Sequence, residues 1–525
     1  MTTTGANGPA APRQPRVLGA LAGLVAAAVA LGVGELVAGV LGPSSSPVVA
    51  VGNAVIALTP EPVKRAAIDV FGQHDKIALI SGTLVVIAVL ACLVGLLGLR
   101  SRRLGALAFG LFGLIGAVAA LTRPAAGPWD AVPSFAGAAA GAVALWWLLG
   151  PLTRPEAVDQ RGPAPGGAID RRGFFVAGGI AVGAAVLAGG GGRLLQRRFV
   201  VTAERADLAL PAPASPAAAL PPGADLAEHL DGLTPLFTAN RDFYRIDTAL
   251  TVPQIRPRQY RLALGGMFDS PRHYTLAELY RRDDLIERDI TITCVSNEVG
   301  GTLAGSARWL GVPLGALLRE NGVRPQSSQL LCRSVDGMTI GAPTRSALDV
   351  DGAMLAIGMN GAPLPVEHGF PVRMIIPGLY GYVSACKWLA SIEATTYDAV
   401  DAYWVQRGWA AAGPIRIASR IDVPAPQRAY PPGPRPIAGV AWAQTRGISR
   451  VEVRVDDGAW TDAELAPAAD ADLWRQWVLR HDFAPGRHTV TVRATSADGE
   501  VQPEAQADPY PSGATGWHST EVLVR

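Results

Sequence analysis

A single cysteine stands at the end of an apolar stretch and directly before a glycine-rich loop. Residues 291–301 read TITCVSNEVGG, so Cys294 closes a short strand pattern. A strand that delivers one thiolate into such a loop presents a soft ligand to a metal, although a lone strand cysteine is more often part of a core. Farther along, residues 368–373 read HGFPVR and Lys387 follows. Arginine binds phosphate bidentately and lysine adds a point charge, so this second group predicts a phosphorylated organic cofactor.

These stretches together resemble the sulfite-oxidase-type molybdenum fold, the family that binds molybdopterin. The resemblance covers roughly residues 235–525 and follows the family's order: NRDFYR at 240–245, the cysteine stretch, DG at 336–337, MNG at 359–361, HGFPVR at 368–373 and PGLYGY at 377–382. It implies that Cys294 ligates molybdenum. It also implies a set of residues that bind the pterin and its phosphate: Asn240, Tyr244, Arg245, His368, Arg373, Ser384 and Lys387.

Two positions differ from the sulfite-specific members of this family. Those enzymes carry an arginine pair shortly after the metal cysteine and a tyrosine farther on, in regions where this chain has Glu298 and Gln406. A carboxylate near the metal repels a sulfite anion. The resemblance therefore implies a molybdenum-molybdopterin oxidoreductase that transfers an oxygen atom to or from a small, non-sulfite substrate. Sulfite oxidation, and a non-enzymatic membrane scaffold or sensor that keeps the fold, are the two alternatives.

Composition points to membrane segments and at least two globular domains. The chain has 525 residues, of which 49% are hydrophobic and 17% charged, and the mean hydropathy is +0.24. A net charge of +2 gives no argument for nucleic acid as a partner. The four cysteines form no CxxC pair, which excludes a CxxCH haem attachment and argues against a cysteine-ligated iron–sulfur cluster. Electrons are therefore expected to pass to or from a separate cytochrome or a quinone.

Five apolar stretches in the first 200 residues are long enough, or nearly so, to cross a bilayer of ~30 Å. They are residues 17–41, 77–99, 104–121, 133–150 and 174–195. Residues 47–58 are apolar but short, which favours a re-entrant or surface-lying piece. His74 and Asp75 are candidates for a quinone or haem site, although a single histidine cannot supply both axial ligands of a haem. The region 1–198 is thus predicted to be an all-α transmembrane bundle in contact with lipid.

Arginine placement predicts the orientation of this bundle. Arg16, the basic group at 100–103 and the arginines between the fourth and fifth stretches fall on one side, which the positive-inside rule makes cytoplasmic. The C-terminal part then lies on the outer face of the cell membrane. Residues 170–175 read DRRGFF and resemble a twin-arginine export signal. This route exports folded proteins, which a protein that receives its cofactor in the cytoplasm would require.

The remainder of the chain predicts a linker and two further domains. Residues 199–234 are rich in alanine and proline, typical of an extended tether. Residues 235–411 mix strand and helix patterns, including a capping box at Thr275 and Glu278, and predict an α+β molybdopterin domain. Residues 412–525 alternate like strands and predict an all-β immunoglobulin-like sandwich. The sandwich resembles the dimerisation domain of the same family, so it is expected to be structural and a homodimer is allowed.

Overall fold

The computed structural model describes residues 14–60, 63, 70, 75–123, 126–152, 171–426 and 428–525. It divides into two compact units, Met1–Val200 with Ala249–Val252, and Val201–Thr248 with Pro253–Arg525. Some residues used in the sequence arguments on orientation, export and quinone binding lie outside the described set, namely His74, Arg154, Arg161 and Asp170.

The first unit is helical. Its described helices are α1 Gln14–Leu41, α2 Pro47–Leu58, α3 Asp75–Arg100, α4 Arg102–Leu121, α5 Val132–Leu148 and α6 Arg171–Gln196. Five segments are long and apolar enough to cross a membrane: Arg16–Leu41, Ala78–Arg100, Arg102–Leu121, Pro128–Leu148 and Arg172–Ala206. They correspond one to one to the five predicted stretches, and the short apolar helix α2 falls on the predicted short piece. These helices indicate a membrane protein.

Small residues let these helices approach closely. Helix α1 packs against α3, α5 and α6. A Cβ added at Gly23 would lie 1.9 Å from the carbonyl oxygen of Ala91, and one added at Gly192 would lie 2.4 Å from that of Glu35. Such close contact between backbones gives favourable dispersion energy. Transmembrane helices depend on it, because lipid supplies no hydrophobic driving force for their association.

The second unit begins with two sheets that share one core. The strands are β1 Arg261–Gly266, β2 His273–Thr275, β3 Ile286–Thr293, β4 Ala304–Pro313, β5 Gln329–Ser334, β6 Thr339–Pro343, β7 Met354–Met359, β8 Ala362–Pro363, β9 Arg373–Ile375 and β10 Leu389–Thr395. One sheet has the order β2-β1-β10-β5-β6, and the other β3-β4-β7-β8 with β9 also on β7. Buried side chains of both, such as Val312 and Ile392, belong to the same hydrophobic cluster.

Short helices cover these sheets. They are α7 Thr202–Ala206, α8 Leu276–Tyr280, α9 Leu314–Glu320, α10 Thr344–Asp349 and α11 Gly381–Ser384. Helix α8 starts at the predicted capping box: Thr275 Oγ1 accepts from the Glu278 amide at 3.1 Å, and the Glu278 carboxylate accepts from the Thr275 amide at 2.7 Å. The α+β class is confirmed.

Two further sheets pack face to face at the C-terminus, which confirms the sandwich. Their strands are β11 Ala418–Val423, β12 Ala429–Tyr430, β13 Gly433–Trp442, β14 Ile448–Val455, β15 Thr461–Asp462, β16 Glu464–Leu465, β17 Arg475–Phe483, β18 Gly486–Ser496 and β19 His518–Val524. The orders are β11-β13-β17-β16 and β12-β19-β18-β14-β15. Trp477 from the first sheet and Val453 and Val492 from the second are fully buried between them.

The alanine- and proline-rich segment is extended but not free. Arg205 donates to the carbonyls of Pro363 and Leu364 at 2.7 and 2.6 Å, and the Glu287 amide donates to the Ser215 carbonyl at 2.8 Å. Asp225 accepts from Gln476 Nε2 at 2.9 Å. The segment from Val201 on therefore packs along the second unit. The division of this unit into domains 235–411 and 412–525 stays a prediction.

Candidate cofactor site

Cys294 lies at the base of the hairpin loop between β3 and β4. The two strands pair through Thr293 and Ala304, and the Cys294 amide donates to the Leu303 carbonyl at 2.9 Å. The residue is 8% exposed, and burial raises the pKa of its thiol. A thiolate at this place needs a cationic partner, and metal coordination deprotonates a thiol outright. The other cysteines, Cys92, Cys332 and Cys386, are also free thiols.

His368 is held as a neutral imidazole. Its Nε2 lies 3.0 Å from the carbonyl oxygen of Asn240, and its ring meets the edge of Phe243 with centroids 5.5 Å apart. A carbonyl oxygen only accepts, so Nε2 carries the proton and Nδ1 is left as an acceptor. Burial, with the neighbouring Arg373, lowers the pKa of His368 to about 4. The ring is therefore uncharged at neutral pH.

Arg373 begins β9 and is 6% exposed. Its guanidinium lies over the Trp309 ring, 5.2 Å from the centroid, and Nη1 donates to the His368 carbonyl at 3.2 Å. Within the described residues, no acceptor reaches its buried Nε. Burial lowers the pKa of Arg373 to about 10, which still leaves it charged at neutral pH. A buried charged donor without an acceptor is costly, so this nitrogen fits a ligand with acceptor oxygens.

Arg245 and Lys387 share one buried carboxylate. Arg245 Nε and Lys387 Nζ each lie 2.7 Å from Asp247 Oδ2, and the Asp247 side chain is 4% exposed. Burial lowers the pKa of Lys387 to about 8, Asp247 opposes this shift, and the nearby Arg373 and Arg245 add to it. Sequence reasoning missed Asp247, for which the only signal was its place two residues after Arg245.

The charges of this cluster fit a phosphate group. Arg245, Arg373 and Lys387 carry three positive charges against the single carboxylate of Asp247. The cations lie close enough to depress the pKa of Lys387, so an anion bound among them relieves repulsion. Together with the unpartnered Arg373 Nε, this excess charge is what a phosphorylated cofactor requires.

Tyr244 connects the cysteine to the cationic cluster. Burial raises the pKa of this half-buried phenol, Cys294 raises it further, and Arg373 opposes the shift. Tyr244 therefore lies within electrostatic range of both Cys294 and Arg373. A Cβ added at Gly381 would lie 3.7 Å from the Thr293 carbonyl and 3.9 Å from the Tyr244 hydroxyl. One site thus combines a soft metal ligand with an anion-binding cluster, and these residues fit a molybdenum-pterin cofactor.

Two predicted cofactor-binding side chains make their hydrogen bonds inside the fold. The Ser384 hydroxyl donates to the carbonyls of Leu379 and Tyr380, at 2.9 and 3.1 Å. The Asn240 amide donates to the Met359 carbonyl at 3.3 Å and accepts from Asn360 Nδ2 at 2.9 Å. Their direct role in cofactor binding stays a prediction, and the contacts seen position the loops around the site.

A small cleft, with a volume of about 20 Å³, lies beside the cysteine loop. Thr293, Glu298, Tyr380 and Arg416 are among the residues that line it. The Arg416 amide donates to the Tyr380 hydroxyl at 3.3 Å. Among the described residues that line the cleft, the charged ones are Glu298 and Arg416. Arg416 was not singled out from the sequence because it lies in the β-rich part, far along the chain. Gln406 donates to the Asp401 carbonyl at 2.9 Å and is exposed.

The buried thiol of Cys294 lies with Arg373 and Lys387 in a molybdopterin-binding oxidoreductase domain. Residues 249–404 match the oxidoreductase molybdopterin binding domain family. Sulfite oxidase from Gallus gallus is 29% identical over 354 residues, which cover 57% of this chain and 74% of that protein. Mitochondrial sulfite oxidase from Mus musculus is 28% identical over 327 residues, which cover 52% of this chain and 59% of that protein. Residues 249–404 thus form a molybdopterin-binding oxidoreductase domain, and the chain is distantly similar to sulfite oxidases.

One solved structure is similar over a larger share of its own length. The sulfane dehydrogenase SoxCD from Paracoccus pantotrophus matches with 23% sequence identity and a TM-score of 0.49, covering 58% of this chain and 86% of that chain.

Proposed function

We propose that this protein is a membrane-anchored molybdenum-cofactor oxidoreductase that transfers an oxygen atom to or from a small substrate. The observation that carries the proposal is the convergence of the buried Cys294 thiol with the cationic cluster around the unpartnered Arg373 Nε. When bound, molybdenum-molybdopterin supplies the two-electron redox change that such a transfer requires. Cys294 ligates the metal, and Arg245, Arg373 and Lys387 bind the phosphate of the pterin.

The neutral residues orient the cofactor. His368 Nδ1 is an acceptor for a donor on the pterin, because Nε2 is committed to the Asn240 carbonyl. Tyr244 stays protonated at neutral pH, since its pKa is raised, so its hydroxyl would donate a hydrogen bond to the bound cofactor. Asn240 and Ser384 set the backbone around these contacts.

Metal analysis of a cysteine variant tests this proposal. Cys294→Ser should lose molybdenum and more than ~100-fold of dye-linked turnover, because removing a direct ligand costs more than removing the groups that support it. Cys332→Ser is the matched control, since Cys332 is also buried but contacts Met374 in the core, at 3.5 Å. Full molybdenum content and turnover in Cys294→Ser would end the proposal. Wild-type protein free of molybdenum and pterin, from cells that make the cofactor, would favour the scaffold or sensor alternative.

We further propose that the substrate is neutral or dipolar, such as an S-oxide or N-oxide. Glu298 follows the metal cysteine by four residues and lines the small cleft together with Arg416, so the charges near Cys294 give no net attraction for a sulfite anion. Steady-state kinetics with sulfite and with a small sulfoxide test this claim. A higher kcat/KM for sulfite would instead favour sulfite oxidation.

The five apolar helices support attachment to the cell membrane, and we propose that the catalytic unit faces outward after export by the twin-arginine route. Protease added to intact spheroplasts should then digest the unit, and protection would contradict the orientation.

Electrons pass to a separate cytochrome, with quinone as the alternative. Reduction or oxidation of a quinone analogue by the purified protein alone would favour the quinone. We also propose that the sandwich supports a homodimer.

A further inference from the structure

Strands of the sandwich hold the loop that carries Cys294. The loop closes on itself: the Leu303 amide donates to Asn297 Oδ1 at 2.7 Å, and the Gly301 amide donates to the Glu298 carbonyl at 2.9 Å. From strand β11, Arg420 Nη1 donates to the carbonyl oxygen of Gly301 at 2.9 Å. A residue of the sandwich thus reaches the far end of the cysteine loop.

The Arg420 side chain is itself immobilised. Nε donates to Asp422 Oδ1 at 2.6 Å, Nη2 donates to Thr234 Oγ1 at 2.7 Å, and the residue is 6% exposed. The second oxygen of Asp422 accepts from the Thr234 amide at 3.1 Å. A planar guanidinium with three acceptors in fixed directions cannot rotate without breaking one of them. It therefore fixes the position of the Gly301 carbonyl.

His518 fixes the preceding residue of the loop. Gly300 has φ +77°, and a Cβ added there would lie 2.3 Å from Cδ2 of the His518 ring. The ring is oriented by its Nδ1, which accepts from the Ile421 amide at 3.0 Å. A left-handed backbone pressed against a ring requires glycine at this position. The Gly300–Gly301 pair is therefore fitted to the sandwich.

The strand that leads into Cys294 is held from the same side. The Thr291 amide donates to the Asp472 carbonyl at 2.9 Å, and Thr291 Oγ1 accepts from the Trp474 amide at 2.8 Å. Gln444 Nε2 donates to the Thr291 carbonyl at 3.2 Å. Contacts from the sandwich therefore bracket Cys294, three residues before it and seven residues after it.

We propose that Arg420 is a positioning residue for the metal cysteine, and that it acts through the Gly301 carbonyl to fix the direction of the Cys294 thiol. The inference rests on the proposed function, because thiol direction matters once a metal is bound there. It gives the sandwich, which the sequence indicated to be structural, a part in the active site. Groups that support a ligand must themselves be rigid for the site to hold its geometry.

The first test measures alkylation of Cys294 in the full-length apoprotein in detergent, with iodoacetamide and mass spectrometry. Arg420→Lys keeps a positive charge beside Asp422 but lacks the planar guanidinium that makes three hydrogen bonds. The Gly301 carbonyl is then no longer held, so Cys294 should react about tenfold faster or more. Arg493→Lys is the control. Arg493 pairs with the buried Glu452 in the same sandwich, at 2.9 and 3.1 Å, so this variant loses a comparable pair between β14 and β18. Its Cys294 should react within about twofold of wild type, because the contacts of Arg493 are to Glu452, Trp460 and Trp517 and not to the cysteine loop.

Two further readouts separate positioning from general stability. In the loaded protein, Arg420→Lys should shift the electron paramagnetic resonance spectrum of the molybdenum, and Arg493→Lys should not. Gly300→Ala should speed Cys294 alkylation, because the added methyl group meets the His518 ring and strains the left-handed backbone. Thr234→Val, which removes only the acceptor of Nη2, replaces Arg420→Lys if that variant does not fold.

Equal alkylation rates in the Arg420 and Arg493 variants would overturn the positioning role. Alkylation uses no metal, so it decides this question even in protein that never binds molybdenum. Absence of molybdenum from the wild type would refute the proposed function and leave the alkylation result standing.

Discussion

The carboxylate of Asp247 compensates two cations in the proposed phosphate site, so its removal should weaken the apoprotein. In Asp247→Asn, Arg245 Nε and Lys387 Nζ lose the negative charge that lies 2.7 Å from each, and a single amide oxygen is left as acceptor. Lys387 is 11% exposed and has little access to water, whereas Arg245 is 36% exposed and is partly hydrated. Breaking a buried pair costs about 3–5 kcal/mol, and the exposed Arg245 places the expected loss near the lower end, at about 3 kcal/mol.

Hydrogen exchange followed by mass spectrometry measures this loss locally. Amides in peptides covering residues 366–389 should exchange roughly 100-fold faster in apo Asp247→Asn, since about 1.4 kcal/mol corresponds to a tenfold change. The cofactor-loaded variant should lose less local stability, because the phosphate supplies the missing negative charge.

Asp269→Asn is the matched control for this experiment. Asp269 accepts from Arg324 Nε at 2.8 Å, but the two side chains are 65% and 55% exposed. A surface pair of this kind contributes under about 1 kcal/mol, so local exchange should change less than about tenfold. Similar exchange in Asp247→Asn and wild type, or equal effects in the two variants, would refute the assignment of a buried cationic cluster.

Two further predictions concern charge in the site. The affinity of the apoprotein for pyrophosphate should be full below about pH 8 and fall as pH rises above it, because the lowered pKa of Lys387 removes the ammonium there. Titration calorimetry at pH 7 and pH 9 checks this, and equal affinities would contradict it. Glu298→Gln should raise kcat/KM for sulfite several-fold by leaving Arg416 unopposed in the cleft, while a neutral sulfoxide should respond by less than about twofold. Steady-state kinetics measures the difference, and an unchanged sulfite value would place Glu298 outside substrate recognition.

Much of the fold follows from local pattern. The five apolar stretches became the five long helices, and the capping box at Thr275 and Glu278 became the start of α8. The alternation along residues 448–455 became strand β14 of the sandwich. Such features depend on hydrophobic periodicity and on contacts between residues close in sequence, which the chain encodes directly. The resemblance of the stretches at 240–245, 291–301 and 368–382 to the sulfite-oxidase-type family likewise implied a molybdopterin domain.

Only the tertiary structure decided how the site is assembled. Packing placed Asp247 between Arg245 and Lys387, left Arg373 Nε without an acceptor among the described residues, and brought Arg416 to the cleft beside Glu298. It also directed the hydroxyl of Ser384 to backbone carbonyls. The reason is that such contacts join residues distant in the chain, and strand register and sheet packing determine which of them meet. A sequence pattern indicates which residue types could bind a cofactor. Long-range packing determines which of their charges are paired within the protein and which stay available to the cofactor.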